Sequence, residues 1–261
     1  MNATLFYSIQ SEWMKTKRSA AFWLVLIGGF FMPAILTLVH LVYIKRLGKI
    51  YETTPFWEKW LINAWESMSI LLVPMGIVLA TSLIAQLEYK NNAWKQVHTT
   101  PQSLTIVFFA KYTVVLLLML QLFVLFGCGM YLAGAIPAWY YGHIQYPSEV
   151  FPWGKFIQIN ASFYVMALPI VALQYLLSIQ FKNFIVSLGA GVALVVGAII
   201  ALSWRYVYLI PYTYGAIHFM QLQGKMRFKS NIPDIHYLAL IYFFGFTLLS
   251  YILYLTKKEK G

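Results

Sequence analysis

The chain has 261 residues, of which 61% are hydrophobic and only 10% are charged, and its formal net charge is +11. Soluble domains carry about 25% charged residues, so this composition excludes a water-soluble fold and indicates a protein whose surface lies mostly in lipid. The basic residues are scattered between apolar runs rather than gathered into a stripe. This distribution argues against nucleic-acid binding and favours membrane lipids as the partner of the positive charge.

The first segment, residues 1–18, predicts an interfacial amphipathic helix that lies on the membrane surface. Leu5, Ile9 and Trp13 recur at four-residue spacing, and a basic run follows them directly. A signal peptide would instead begin with its basic residues and end in a small-residue cleavage site, so we expect this segment to be retained.

Six apolar runs follow, each close to the roughly 20 residues that a helix needs to cross the bilayer. They cover approximately residues 19–44, 66–87, 104–136, 156–181, 183–203 and 235–256. The fourth and fifth runs are divided only by a short break around Lys182. The pattern therefore predicts an all-α, polytopic membrane protein with six transmembrane helices and a single transmembrane domain over residues 1–261.

Three connections lie on one side of this six-span arrangement. Residues 45–63 and 137–155 are rich in aromatic residues and proline, which is typical of loops at the membrane interface. Residues 204–234 are only semi-polar, and their apolar stretches are too short to cross. They predict a re-entrant or interfacial hairpin before the last span, on the extracytoplasmic side.

An even number of spans places both termini on the same side, and basic clusters near each terminus favour the cytoplasm. The charge bias is weak, because this orientation leaves only ten of the 19 Lys and Arg residues inside. We therefore expect both termini to lie in the cytoplasm.

Residues 88–100 form the sizeable polar segment that this orientation places in the cytoplasm between spans. Tyr89, Ala93 and Val97 share one face of a predicted helix, and Trp94 lies beside them. Thr100 is the expected cap of the next helix, with Pro101 at its first position. Such an element could dock on a partner protein, or it could simply connect two spans. The expected docking residues are Glu88, Tyr89, Lys90, Trp94, Lys95 and Val97.

Within and after this segment, the pattern Glu88, Trp94, Lys95, Pro101 and Lys111 resembles the permease subunits of ABC-2 type ABC transporters. Within that family it is most similar to the lantibiotic-immunity and bacitracin-export permeases. The layout of the whole chain also resembles these permeases, whereas the motif covers only about 25 residues.

The resemblance implies a permease subunit in the bacterial cytoplasmic (inner) membrane that exports or extracts an amphipathic, peptide or lipid-like substrate. It further implies two permeases, identical or homologous, and two separate ABC ATPase subunits, each docked on a cytoplasmic coupling helix at residues 88–100. The chain has no phosphate-binding loop of the G-x-x-x-x-G-K-[ST] type. We therefore expect no cofactor and no catalysis in this chain, with ATP and Mg held by the partner ATPase.

A stripe of small residues in the fifth span predicts a close approach by another helix. Gly189, Ala193, Gly197 and Ala201 repeat at four-residue spacing. The neighbour could be another span of the same chain or a second copy. The family resemblance favours a dimer seam that involves the first, second and fifth spans.

Several other polar residues are candidates for substrate, proton or metal binding. Glu66 near a span end could contact substrate or protons, although we expect the helix N-terminus to stabilise it there. The five dispersed histidines have no metal-binding spacing, so no metal site is expected. A polytopic membrane enzyme would need ionisable residues that converge within the spans, and a membrane anchor or assembly factor without transport would need only the docking helix. These two functions remain the alternatives to transport.

Overall fold

The computed structural model describes residues 2–47, 49, 51, 55–90, 103–141, 147, 150–181, 183–225 and 233–256, without the side chains of residues 2, 3 and 88–90. Every regular element in these ranges is helical, and six helices are long and apolar enough to cross a membrane. The spans are Ala20–Val42, Phe56–Leu87, Leu104–Tyr141, Trp153–Gln180, Phe184–Ser203 and Ile235–Thr256. The predicted fold class and the count of six spans are confirmed.

The α-helices are numbered here in chain order. They are α1 Asn2–Thr16, α2 Ala20–Val42, α3 Ile44–Leu47, α4 Phe56–Ser67, α5 Val73–Lys90, α6 Leu104–Tyr141, α7 Trp153–Gln180, α8 Phe184–Ile200, α9 Tyr214–Leu222 and α10 Ile235–Thr256. A π-helical segment, Met68–Leu72, joins α4 to α5, so these three elements form the second span.

Helix α1 packs against α6, and its apolar stripe is turned toward the bundle. Ile9 and Trp13 lie against the core, whereas Phe6, Tyr7 and Met14 are exposed on another face. The sequence pattern predicted the helix correctly, but the stripe that produced the prediction contacts protein. The outward aromatic side chains are the ones available to lipid.

The second span begins at Phe56, ten residues before the predicted start, because the aromatic-rich segment after Pro55 is helical. Its π segment is closed by a hydrogen bond from the Val73 backbone N–H to the Met68 carbonyl. Pro74 follows directly and has no N–H to donate to the preceding turn. The wider π turn accommodates this missing donor inside the span.

Close packing of α2 on α6 depends on glycine. A Cβ on Gly29 would lie 2.8 Å from Leu125 Cβ, and one on Gly129 would lie 2.7 Å from Pro33 Cγ. Pro33 therefore fits against a glycine of the facing helix. The missing side chains let the two helices approach closely, as small residues commonly do between membrane helices.

Helix α7 occupies the centre of the bundle, where it packs against α4, α5, α6, α8, α9 and α10. Its Phe163 ring stacks on Trp65 of the second span with ring centroids 4.0 Å apart, and both side chains are buried. The predicted break between the fourth and fifth spans is confirmed: Phe181 is extended, and the Asn183 side chain accepts a hydrogen bond from the Ile185 N–H to start α8.

The segment that begins at the end of the fifth span folds back on the bundle through three short 3₁₀ turns and α9. Helix α9 has 9 residues, about 14 Å of helix, which is too short to cross a 30 Å core. Tyr212, Tyr214 and His218 are buried, and the Tyr214 hydroxyl donates to the Tyr208 carbonyl. Residues 201–225 are therefore a packed element of the bundle that contains no additional span, and the predicted extracytoplasmic position of this hairpin stays a prediction.

Candidate functional site

The predicted docking segment joins the C-terminal end of α5 to the N-terminal end of α6. Glu88, Tyr89 and Lys90 form the last backbone turn of α5. Trp94, Lys95 and Val97 lie outside the described residues. The structure therefore shows the two helices that carry the segment but not the docking surface itself.

Helix α6 begins at Leu104, three residues after Pro101, and Ser103 precedes it. The Ser103 hydroxyl accepts a hydrogen bond from the Ile106 N–H at 3.4 Å. This serine occupies the capping position that the sequence analysis assigned to Thr100. The prediction placed the helix start too early because Pro101 also suits a first helical position.

The first turns of α6 are tied to α1 by an ion pair. The Lys111 ammonium lies 3.4 Å from a carboxylate oxygen of Glu12, and Lys15 binds the other oxygen of the same carboxylate. Burial raises the pKa of Glu12, but the positive charges of Lys111 and Lys15 outweigh it, so the pKa lies below its ordinary value. The pair attaches α1 beside the docking segment.

Hydrogen bonds between side chains attach the same part of α6 to α10 and α7. The Thr105 and Tyr251 hydroxyls lie 2.9 Å apart, and those of Tyr112 and Thr247 lie 2.8 Å apart. The Tyr175 hydroxyl of α7 donates to the Phe108 carbonyl at 3.3 Å. Three neighbours, α1, α7 and α10, therefore hold the base of α6 as a rigid support.

A buried polar cluster links α5 to α7 and α8 two turns before Glu88. The Gln174 amide of α7 donates to the Ser82 hydroxyl of α5 at 2.9 Å and to the Ser187 carbonyl of α8 at 3.1 Å. The Ser178 and Ser187 hydroxyls lie 2.8 Å apart, and the Tyr212 hydroxyl donates to Gln174 Oε1 at 3.4 Å. All five side chains are buried. We call this set the α5 clasp: Ser82, Gln174, Ser178, Ser187 and Tyr212.

The predicted small-residue stripe of α8 faces away from the bundle. Gly189, Ala193 and Gly197 are exposed and Ala201 is half-buried, and a Cβ on either glycine would meet no atom within 4 Å. The described spans of the same chain therefore do not cover the stripe, and a contact with a second copy stays a prediction.

A different stripe of α8, which the sequence analysis missed, contacts the bundle. Ser187, Gly191, Val195 and Ala198 are its buried residues. A Cβ on Gly191 would lie 2.5 Å from Gln174 Oε1 and 2.6 Å from Val78. The available signal was the four-residue spacing of Ser187 and Gly191, a second small-residue pattern in the same helix.

Glu66 lies near the end of α4, well inside the second span, and its side chain is exposed. The expectation that a helix N-terminus stabilises this carboxylate is wrong, because the helix begins at Phe56. Asn63, one turn earlier, is also exposed and accepts a hydrogen bond from the Gln223 amide at 3.2 Å. This outward polar patch is consistent with the substrate-facing alternative for Glu66.

Two of the histidines that the structure describes form a local cluster. The rings of His218 and His236 lie 5.3 Å apart, and His236 Nδ1 lies 3.1 Å from Asp234. Burial and, to a smaller extent, the neighbouring His236 together lower the pKa of His218 to about 4. Among the residues that the structure describes, no group of three or more His, Cys, Asp or Glu could hold a metal ion.

Comparison with known families gives one match. A model of the ABC-2 family transporter protein family matches residues 8–199, from α1 to the end of α8, the helix of the fifth span. Neither the curated proteins nor the solved structures give a match to the chain. Because the family match covers most of the chain and the fold has the six spans of a multi-pass membrane protein, the chain belongs to the ABC-2 family of transporter proteins and is a membrane permease component of an ABC transporter.

Proposed function

We propose that this chain exports or extracts an amphipathic, peptide or lipid-like substrate, driven by two ABC ATPase subunits that dock at residues 88–100. Membership of the ABC-2 family implies association with an ABC ATPase in general. The observation that carries the proposal is the support of the docking segment: one end leaves α5 two turns after the clasp, and the other enters the rigid base of α6.

The α5 clasp provides a route by which movement at the docking segment reaches the other spans. A displacement of the α5 end acts on Ser82, and through Gln174 and Ser187 it acts on α7 and α8. Separating these hydrogen-bonded side chains is costly, because the bilayer core holds no water to replace the lost partners. Helices joined in this way move together, so the clasp would convert ATPase closure into a rearrangement of the fifth span.

Two copies of the chain, or this chain and a homologous permease, would meet along the outward stripe of α8. Gly189 and Gly197 leave open space at which a facing helix could approach closely. In this arrangement the ATPases would bind ATP and Mg, the termini would lie in the cytoplasm of a bacterium, and the substrate would pass between the copies. The similarity to lantibiotic-immunity and bacitracin-export permeases favours a peptide substrate.

The docking role is tested by purifying the complex from its native host and identifying partners by mass spectrometry. Trp94→Ala and Glu88→Lys should release the ABC ATPase and leave the permease folded. Trp139→Ala is the matched control, since this exposed side chain lies at the opposite end of α6. If the ATPase stays bound in both variants, the docking assignment is wrong. If wild type recovers no ATPase, a membrane anchor without transport becomes the better function.

The orientation is tested by cysteine labelling. Cys128 is exposed, so it is first replaced, and a single cysteine is then introduced near Asn92 or Ser230. An impermeant reagent added outside the cell should label the second site and not the first. The reverse result would place the docking segment outside and overturn the proposed coupling.

A further inference from the structure

A long apolar groove runs between the first and second spans. Its walls are α2 on one side and the π segment with α5 on the other, and Leu122 of α6 forms the floor. The cavity has a volume of about 620 Å³, within the range of roughly 300–1,000 Å³ that small-molecule sites occupy. Its lining side chains are apolar throughout.

The groove is about as long as one leaflet of the bilayer is thick. It extends along α2 from Ala20 to Phe31 and along the second span from Leu79 to Met68. Eleven residues of helix separate the ends of each wall, or about 16 Å. The hydrocarbon core is about 30 Å thick, so the groove reaches from one membrane surface to near the midplane.

The absence of side chains at two facing glycines makes room for the groove. Gly28 on α2 and Gly76 on α5 both line it, and a Cβ on either would approach the floor at Leu122 Cδ1, at 3.8 and 3.7 Å. The neighbouring Gly29 points instead into the contact with α6. Gly29 therefore faces the packed contact with α6, whereas Gly28 faces the open groove.

Two cations lie in the turn directly before the terminal lining residue of the groove. Lys17 and Arg18 are exposed and precede Ala20, the terminal lining residue. Neither has a carboxylate partner among the described parts of the chain. Trp23, 60% exposed, lies one turn inside, at the depth where tryptophan commonly meets lipid headgroups.

The lining and the length of the groove indicate its occupant. The lining is apolar throughout and extends over about the length of one leaflet, so a hydrocarbon chain that enters from the membrane surface can follow it. The cationic mouth adds a preference for a negatively charged headgroup.

We propose that this groove holds an acyl chain of an anionic phospholipid from the surrounding leaflet, with its phosphate at Lys17 and Arg18. The lipid is a resident ligand of the bundle rather than the transported substrate. It fills the space between the first two spans, so it would stabilise their separation. The site is independent of the proposed transport function, because it rests on the groove and its mouth alone.

The test uses the full chain in detergent, titrated with phosphatidylglycerol or with phosphatidylcholine of the same acyl chains, and native mass spectrometry as the readout. Phosphatidylglycerol should bind in preference. Lys17→Gln and Arg18→Gln should each weaken its binding by about fivefold. Arg205→Gln is the matched control, since Arg205 is exposed and lies after the fifth span, away from the groove.

Gly28→Leu and, separately, Gly76→Leu should fill the groove and abolish preferential binding. Gly245→Leu is the control, because Gly245 is exposed on α10 and a Cβ there would meet no atom within 4 Å. Circular dichroism and the melting temperature establish that each variant is folded. In addition, a phosphatidylglycerol with a photoreactive group at the end of its chain should label the peptide that contains Phe31 in wild type and not in a folded Gly28→Leu variant.

Several results would overturn the proposal: equal binding of the two lipids, undiminished binding in both glycine variants, or photolabelling that ignores Gly28→Leu. A fourth is a loss of dimer in the groove variants without a loss of lipid, since the occupant would then be a second copy. If the lipid stayed bound only while the ATPase hydrolyses ATP, it would be a transported substrate. That result would also contradict a resident ligand.

Discussion

The carboxylate of Glu12 on α1 lies 3.4 Å from the ammonium of Lys111 on α6, with little solvent at either side chain. Lys111 is one of the residues by which the sequence resembles ABC-2 permeases. The pairing gives this position a physical role: it attaches the interfacial helix to the helix that receives the docking segment. Movement of the docking segment would therefore reach α1 as well as the α5 clasp.

Glu12→Gln should destabilise the bundle, because it removes a negative charge that faces the buried Lys111 ammonium. Loss of one partner of a buried pair costs about 3–5 kcal/mol, and we expect the melting temperature in detergent to fall by roughly 6–20 °C. The control is Lys155→Gln, which breaks the exposed pair with Glu58 and should cost under about 1 kcal/mol. Equal effects of the two variants would contradict the special role of the buried pair.

Gln174→Leu should weaken the α5 clasp, since the Ser82 and Ser187 hydroxyls lose a donor in a region without water. The expected cost is about 1–3 kcal/mol, visible as a lower melting temperature. Under the proposed function, transport should also fall more than ATP hydrolysis does. Gln158→Leu is the control because Gln158 is exposed on the same helix. Unchanged stability and coupling in Gln174→Leu would argue against the clasp.

Two glycines of α8 should respond in opposite ways to substitution by valine. Gly191→Val places a side chain against Gln174 and Val78, so we expect about 1–3 kcal/mol of lost stability in the protomer. Gly189→Val meets open space and should leave the melting temperature unchanged. If the outward stripe is the dimer seam, Gly189→Val should lower the dimer fraction measured by light scattering. A large loss of protomer stability in Gly189→Val would show that the stripe contacts its own chain.

The stability of the chain should decrease between pH 7 and pH 5, partly through His218. Its pKa is lowered to about 4 in α9, outside the six spans, from an unfolded value of 6.5. Below pH 6.5 the unfolded chain binds a proton that the folded chain does not, so stability is full above that pH and falls as the pH decreases. The loss at pH 5 is at most about 2 kcal/mol.

His218→Phe is the variant that tests this contribution, because its ring can keep the contacts with Phe163 and His236. The measurement is the melting temperature at half-unit pH intervals. The slope below pH 6.5 should be shallower in the variant than in wild type. If the melting temperatures of wild type and variant change with pH in parallel, groups other than His218 cause the pH dependence.

Much of the fold could be predicted from the sequence because lipid imposes a simple rule on composition. A crossing helix needs about 20 apolar residues in succession, and the start of the last span at Ile235 follows directly from that rule. The second span was predicted ten residues short, because Trp60 and its aromatic neighbours resemble an interfacial loop but pack inside the bundle. Aromatic residues occur in both environments, so their presence alone does not locate a helix end.

The inner and outer faces of the spans could not be predicted from the sequence, and the two small-residue stripes of α8 show why. In water a buried face is apolar and an exposed face is polar, so periodicity separates them. In a bilayer both faces are apolar, and the stripe at Gly189 and the one at Gly191 look alike. Only the packing of Gln174 and Val78 against Gly191 decided which one turns inward.

Membrane residence, the six spans and the resemblance to ABC-2 permeases were therefore determined by the sequence itself, because they depend on composition, run length and a short local motif. The pairing of Glu12 with Lys111, the α5 clasp and the groove between Gly28 and Gly76 were decided only by the tertiary structure. Each joins residues that are far apart in the chain. Their proximity depends on how helices of similar polarity pack, for which shape, and not hydropathy, is the selecting property.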